Sequence, residues 1–194
     1  MKNLISELRT ALVATVLLAL IVCGIYPLIV WGVSQALFPH KANGSLIVQE
    51  GKVVGSELLA QNFVDEKYFH PRPSSAGETG YDGGSSGGSN LGPTSKKLID
   101  SVKERVAAYR AENNVSPTTP IPADAVTASA SGLDPHIGVG NAMLQAPRVA
   151  RARGISEEAV KQRIRSHTED RDLGILGEPR VNVLKLNLSL DRKP

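Results

Sequence analysis

ALVATVLLALIVCGIYPLIVWGVSQALF, residues 11–38, carries no charged side chain across its 28 positions. In hydrocarbon a backbone must satisfy its own hydrogen bonds, so a lone apolar run of this length is helical. At 1.5 Å per residue it reaches about 42 Å, against a hydrocarbon layer of about 30 Å, and it spans with tilt. Pro27 has no N–H to give the carbonyl of Cys23, which predicts a bend between Gly24 and Pro27. Ser34-Gln35-Ala36 has the small-x-small form of a cleavage site. The run far exceeds the apolar core of a signal peptide, about 7–15 residues, and a retained anchor is expected. Val22 is a poor neighbour for a lipid-bearing cysteine, so Cys23 reads as a small apolar residue inside the span.

Flanking charge gives the orientation. Lys2 and Arg9 precede the span against a single Glu7, while His40 and Lys41 follow it. Basic flanks stay in the cytoplasm. Residues 1–10 are therefore expected as a short cytoplasmic head, 11–38 as the transmembrane helix, and 39–194 as a periplasmic domain. Ala11, Thr15, Ala19 and Cys23 recur every fourth position, and Gly32 and Ala36 repeat the spacing. Small side chains in register form a face that another membrane helix can approach. The span itself has no ionisable group and cannot line an ion path.

The other 156 residues are ordinary folded-protein material. The 194-residue chain is 41% hydrophobic and 21% charged. Its 22 basic and 19 acidic residues leave a net charge of +3, too small for a nucleic-acid partner. A single cysteine excludes an intrachain disulfide and a cysteine-rich zinc site.

Ser45–Val48 and Val53–Leu59 flank Gly51 and predict a hairpin. In Tyr68-Phe69-His70-Pro71-Arg72-Pro73 the prolines forbid helix and central strand, leaving an extended segment that tucks Tyr68 and Phe69 against the core. Residues 77–92 read as a loop rich in Gly, Ser and Asn. Ser95 can cap a helix whose apolar face is Leu98, Val102, Val106 and Tyr109, ending at Asn113-Asn114. Residues 126–137 are small and suited to close backbone approach, with a helix expected to start near Pro135. Ala142–Arg153 reads as a helix that Pro147 kinks or restarts, and Ser156 opens another. From Leu184 apolar and polar residues alternate, predicting a final strand that shares a sheet with the early ones. The outer part is thus expected to be an α+β domain.

Signals for chemistry are sparse. His40, His70, His136 and His167 form no close pair, so no metal site is indicated; Asp134-Pro135-His136 offers two ligands and nothing to complete a set. No acid-base constellation stands out, and no catalytic residue is assigned. Ser86-Gly87-Gly88-Ser89-Asn90, just before a helix, could cradle phosphate on backbone N–H groups. It lacks the ending of a Walker A loop and only loosely resembles the Ser-Gly-Gly-Gln signature of ABC ATPases. The charge-derived topology puts it away from ATP, and a structured loop that meets a partner is the competing reading. The basic stretch Arg148–Arg165 reads as a solvated helical face.

Five strings taken together resemble the C subunit family of the Kdp potassium-transporting ATPase. They are residues 68–74 (YFHPRPS), 88–93 (GSNLGP), 126–137 (VTASASGLDPHI), 145–154 (QAPRVARARG) and 176–184 (LGEPRVNVL). One departure is Gly138-Val139-Gly140, where a Ser or Thr is expected soon after Ile137. The resemblance implies a bacterial inner-membrane complex in which a channel-like subunit binds potassium and a P-type ATPase subunit hydrolyses ATP. It implies that this chain is a non-catalytic member needed for assembly, proposed as a catalytic chaperone that raises the ATP affinity of the pump subunit. No tightly bound cofactor is expected; ATP and potassium act mainly on the other subunits. Ser86, Gly87, Gly88, Ser89 and Asn90 stand as nucleotide-related candidates, and Tyr68, Phe69, His70 and Arg72 as partner contacts.

Overall fold

The structure, a computed structural model, describes residues 2–192. The amino terminus, which adds to the charge of the head, lies outside them. Lys2–Ala19 form α1, a π-helical turn takes Leu20–Ile25, and Tyr26–Leu37 form α2. Through them Asn3–Leu37 make one helix of 35 residues, long and apolar enough to cross a membrane, with mean hydropathy 2.6 in its most apolar window and none of that window buried. The irregularity forced by Pro27 appears as the π turn: Tyr26 N–H donates to the carbonyl of Ile21, five residues back. A π turn offsets the helical faces, so Cys23 does not continue the row of Ala11, Thr15 and Ala19 as a regular helix would. A short α3, Pro39–Ala42, follows. The chain divides into two compact units, one up to Leu46 and one from Ile47.

The second unit is α+β. β1 (Leu46–Gln49) and β2 (Lys52–Ser56) pair as the expected hairpin. Glu50 and Gly51 both have positive φ, 50° and 77°, as a two-residue hairpin turn of the primed type requires. α4 (Lys96–Asn113) starts where Ser95 Oγ accepts the N–H of Leu98 and ends at Asn114, which is left-handed at φ 52°. Tyr109 of α4 packs on Ala125 and Val126 of α5 (Ala123–Val126) with Val102, Val106 and Leu144 around them. β3 (His136–Gly138) leads directly into α6 (Val139–Arg153), which Gly154 closes at φ 65°. Ser156 Oγ caps α7 (Glu157–Ser166) through the N–H of Ala159. β4 (Thr168–Glu169), β5 (Arg180–Asn182) and α8 (Val183–Asp191) complete the chain.

Several expectations are corrected here. The early and late strands do not share a sheet: the second sheet has the order β3-β5-β4, with Ile137 opposite Val181 and Thr168 also opposite Val181. The segment after Pro135 is strand before it is helix. Gly138 gives α6 no side-chain cap; the Asp124 carboxylate of α5 instead ties down the helix start, accepting from Gly138 N–H at 2.8 Å and from the Asn141 side-chain amide at 2.9 Å. α6 runs through Pro147 without a restart. The alternating run after Leu184 is helix. Asn182 Oδ1 accepts the N–H of Lys185 and caps it, and Val183, Leu186 and Leu190, at i, i+3 and i+7, meet the core.

α6, α7, α8 and the central strand β5 enclose that core, with Phe69, Ile137, Ala146, Val149, Val160, Ile164, Val181 and Leu186 all at 1% exposure or less. Phe69 enters from the extended segment, as the two prolines predict.

Candidate functional site

The segment around Phe69 belongs to no sheet, so its buried polar backbone must find partners among side chains. Asn187 of α8 takes both polar groups of Phe69, accepting the N–H at 2.8 Å and donating to the carbonyl at 3.0 Å. Gln145 of α6 does the same for His70, at 2.8 and 3.1 Å. Arg148 donates to the carbonyls of Glu66 and Tyr68 at 2.6 and 3.0 Å, and Arg153 to that of Lys67 at 2.7 Å. Two amides and two guanidiniums thus replace a neighbouring strand. The network continues from Gln145 to Asn141, and from Asn141 to the Tyr109 hydroxyl, at 2.9 and 2.8 Å. Burial pushes that hydroxyl well above its ordinary range, and the nearby Asp124 charge adds to it.

This arrangement corrects the expected solvated basic face at two positions, while Arg151, Arg163 and Arg165 are exposed as expected. Arg148 is 3% exposed and the Arg153 side chain 12%, so neither belongs to a solvated face. Desolvation lowers the Arg148 pKa, opposed chiefly by the Glu112 carboxylate 3.8 Å away.

The clamp fixes Arg72 at the edge of a charged cleft of about 360 Å³. Arg72 from the extended segment, Asp124 from α5, Asp134 and His136 at β3, and Glu178 and Arg180 at β5 line it. Arg72 pairs with Asp134 at 2.9 Å. His136 lies between Asp134 at 3.6 Å and Glu169 at 3.5 Å, and Arg180 reaches Glu169 at 3.4 Å. Burial alone would raise the Asp134 carboxyl. The His136 ring, the His136 N–H and the Arg72 guanidinium outweigh it and hold the group at about 2, against 3.8 ordinarily. A depressed carboxylate adds stability that is full above its unfolded pKa and is lost as pH falls through the folded one. The domain will therefore lose about 1–2 kcal/mol through Asp134 between pH 4 and pH 2, a figure reduced for solvent screening. Urea unfolding of Asp134→Asn across that window should lack this share of the slope; an unchanged slope would contradict the assignment.

The lining is thus a row of fixed charges of both signs. A second, smaller cavity of about 140 Å³ includes His70, Tyr109 and Glu112. There His70 Nδ1 meets Glu112 at 2.6 Å, and its other ring nitrogen lies 3.2 Å from the Asp65 carbonyl. The hydrogen bond to His70 lowers the Glu112 pKa.

The candidates named from sequence are scattered by comparison. Phe69 is fully buried in this chain's own core and presents no surface to a partner. Tyr68 stacks near Phe63 and Arg153 and donates to Asp191 at 3.0 Å. His70 and Arg72 lie at the two cavities. Ser86–Asn90 lies on the surface and is ordered by residues 129–132: Gly87 N–H and the Ser86 hydroxyl both donate to the Ser131 carbonyl. A Cβ at Gly88 would sit 2.7 Å from the Ala130 carbonyl, which is the close approach that the small residues there foretell. Ala11, Thr15, Ala19, Cys23, Gly32 and Ala36 are exposed along the long helix. Sequence reasoning missed Asp124, Gln145, Asn187 and Arg180 as positioning groups; only Gln145 and Arg180 carried a signal, by lying within the recognised strings.

Those strings are contiguous in space. Residues 68–74 meet 145–154 in the clamp, and 126–137 meets 176–184 in the sheet and the cleft. The family described as KdpC, K+-transporting ATPase, c chain, matches residues 8–192. The potassium-transporting ATPase KdpC subunit of Mycobacterium tuberculosis (strain H37Rv) is 55% identical over 191 residues, which is 98% of each chain. The subunits of that name from Nitratidesulfovibrio vulgaris and Koribacter versatilis are each 52% identical, covering 97% and 98% of this chain and 95% and 94% of their own. With its motifs assembled into one fold and its likeness running nearly end to end, the chain belongs to the KdpC family of K+-transporting ATPase subunits.

Proposed function

We propose that this chain is a non-catalytic accessory and assembly subunit of an ATP-driven, high-affinity potassium uptake complex in a bacterial inner membrane. One span anchors it, residues 1–10 are cytoplasmic, and the domain from residue 39 is periplasmic. A potassium-binding channel-like subunit and a P-type ATPase subunit are its partners, and its effect is to raise the ATP affinity of the latter. The observation that carries the reading is the long helix, whose apolar window has no burial within its own chain. Such a surface is made for lipid and for other membrane helices. The α+β domain supports it too, since buried Asn187, Gln145 and Arg148 are committed to holding backbone. An influence on ATP affinity through the span needs only that the helix make different contacts in two states of the pump.

Co-expression with affinity-tagged partner subunits tests this. Ala19→Leu is expected to lower recovery of the chain with the complex about fivefold, the loss of roughly 1 kcal/mol of helix contact. Unchanged recovery would remove the helix face from the proposal. In the assembled complex, omission of the chain should raise the KM for ATP, and an unaltered KM would reject the chaperone role. A direct contact between nucleotide and Ser86–Asn90 is the second reading; the commitment of Ser86 and Gly87 to Ser131 weakens it. ATP titration of the full chain in detergent, carried to millimolar concentration, decides between them.

A further inference from the structure

The hairpin between β4 and β5 turns its apolar residues outward. Leu173 is 89% exposed, Ile175 75% and Leu176 55%. These are not frayed side chains on a loose loop. Asp172 and Leu176 exchange both backbone hydrogen bonds at 2.9 Å, and Gly174 N–H bonds back to the Arg171 carbonyl. Arg171 pairs with Glu178 at 2.7 Å across the base, and Arg180 reaches Asp172 at 3.3 Å. Leu173 itself sits at φ 55°, a left-handed position where Gly or Asn is usual. The tip is therefore an ordered apolar knob held out into solvent at a backbone cost, which marks an interaction site rather than a spacer.

From the knob's surroundings we infer that it inserts into an apolar pocket with a basic rim on another protein subunit of the transport complex. Residues 169–180 contain four carboxylates and two guanidiniums. That excess of negative charge repels an anionic bilayer surface and complements a positive rim. The knob is also continuous with the charged cleft, since Glu178 and Arg180 belong to both. An ordered tip loses little conformational freedom on docking, so its apolar area counts almost fully toward affinity. The inference rests on the proposed accessory function, and gives that subunit a docking element outside the membrane span.

The test uses the full chain in its complex. Leu173→Asp and Ile175→Asp are surface changes and should leave the far-UV circular dichroism and urea midpoint unchanged. Each should weaken retention of the chain by the affinity-purified complex about tenfold, the effect of losing one buried aliphatic side chain. A photo-crosslinking amino acid at position 173 should join the chain to another subunit, identified by mass spectrometry. Full retention of the double variant, or crosslinks only to lipid or to a second copy of this chain, would overturn the inference. Failure of the unaltered chain to co-purify at all would instead reject the accessory function on which it rests.

Discussion

Arg148→Met is expected to destabilise the domain by about 3–5 kcal/mol, because it strips the donors from four acceptors at once, two of them carbonyls of a segment that belongs to no sheet. The guanidinium is 3% exposed and meets the Glu66 and Tyr68 carbonyls, Asn113 Oδ1 at 2.9 Å and Gln145 Oε1 at 2.9 Å. Methionine fills much of the same volume and relieves the desolvation of a charge, which offsets part of the loss. The two carbonyls remain, fixed in an extended segment that belongs to no sheet, and Glu112 loses a cation that lowers its pKa. Arg148→Lys should recover about half of the loss, since a point charge on a flexible stem cannot reach all the acceptors that the guanidinium fork serves. The urea midpoint of the full chain in detergent, followed by far-UV circular dichroism, measures both variants. The only tryptophan, Trp31, lies in the long helix and does not report on the domain. A loss below about 1 kcal/mol for Arg148→Met would show that the clamp does not hold Glu66–His70 in place.

Why α4 and α7 were legible from sequence, and the clamp was not, follows from the range of the forces. Ser95 and Ser156 act on N–H groups three residues away, and apolar periodicity is visible in any window of a dozen residues. The long helix was the clearest case, since charge-free length alone decides it. In contrast, Asn187 and Phe69 are separated by 118 residues, and Gln145 and His70 by 75. No local pattern announces that an amide will serve a remote backbone. Arg148 was misplaced for the same reason: in the string it is one of several arginines, and only the fold shows that its turn of α6 faces inward. The pairing of β3 with β5 is equally remote, and each strand has only three residues. The family strings pointed to the right residues, but not to what those residues touch. His136 and Asp134 were read as an incomplete ligand pair; the fold instead gives Asp134 the Arg72 guanidinium and His136 the Glu169 carboxylate, which Arg180 also reaches.

Asn187→Leu separates the two readings of the last segment and should cost about 2–4 kcal/mol. Under the alternation that predicts a strand, Leu184, Leu186, Leu188 and Leu190 point inward and Asn187 points to solvent. There a leucine would change stability by no more than about 0.5 kcal/mol. In the helix Asn187 is 1% exposed and holds both polar groups of Phe69, itself fully buried. Leucine keeps the branching of the side chain and removes both bonds, so an N–H and a carbonyl are stranded inside the core, each worth about 1–3 kcal/mol, partly recovered by added apolar contact. Four leucines at every second position over seven residues satisfy a period of 2.0 and in a helix fall on two opposite sides, so the pattern alone favours the strand. What chooses is the cap: Asn182 ends β5 by turning its side chain to the Lys185 N–H and to the carbonyl of Glu57 at 2.8 Å, and the helix follows from there. A urea midpoint for Asn187→Leu equal to that of the unaltered chain would return the segment to a strand and take the clamp's second amide away.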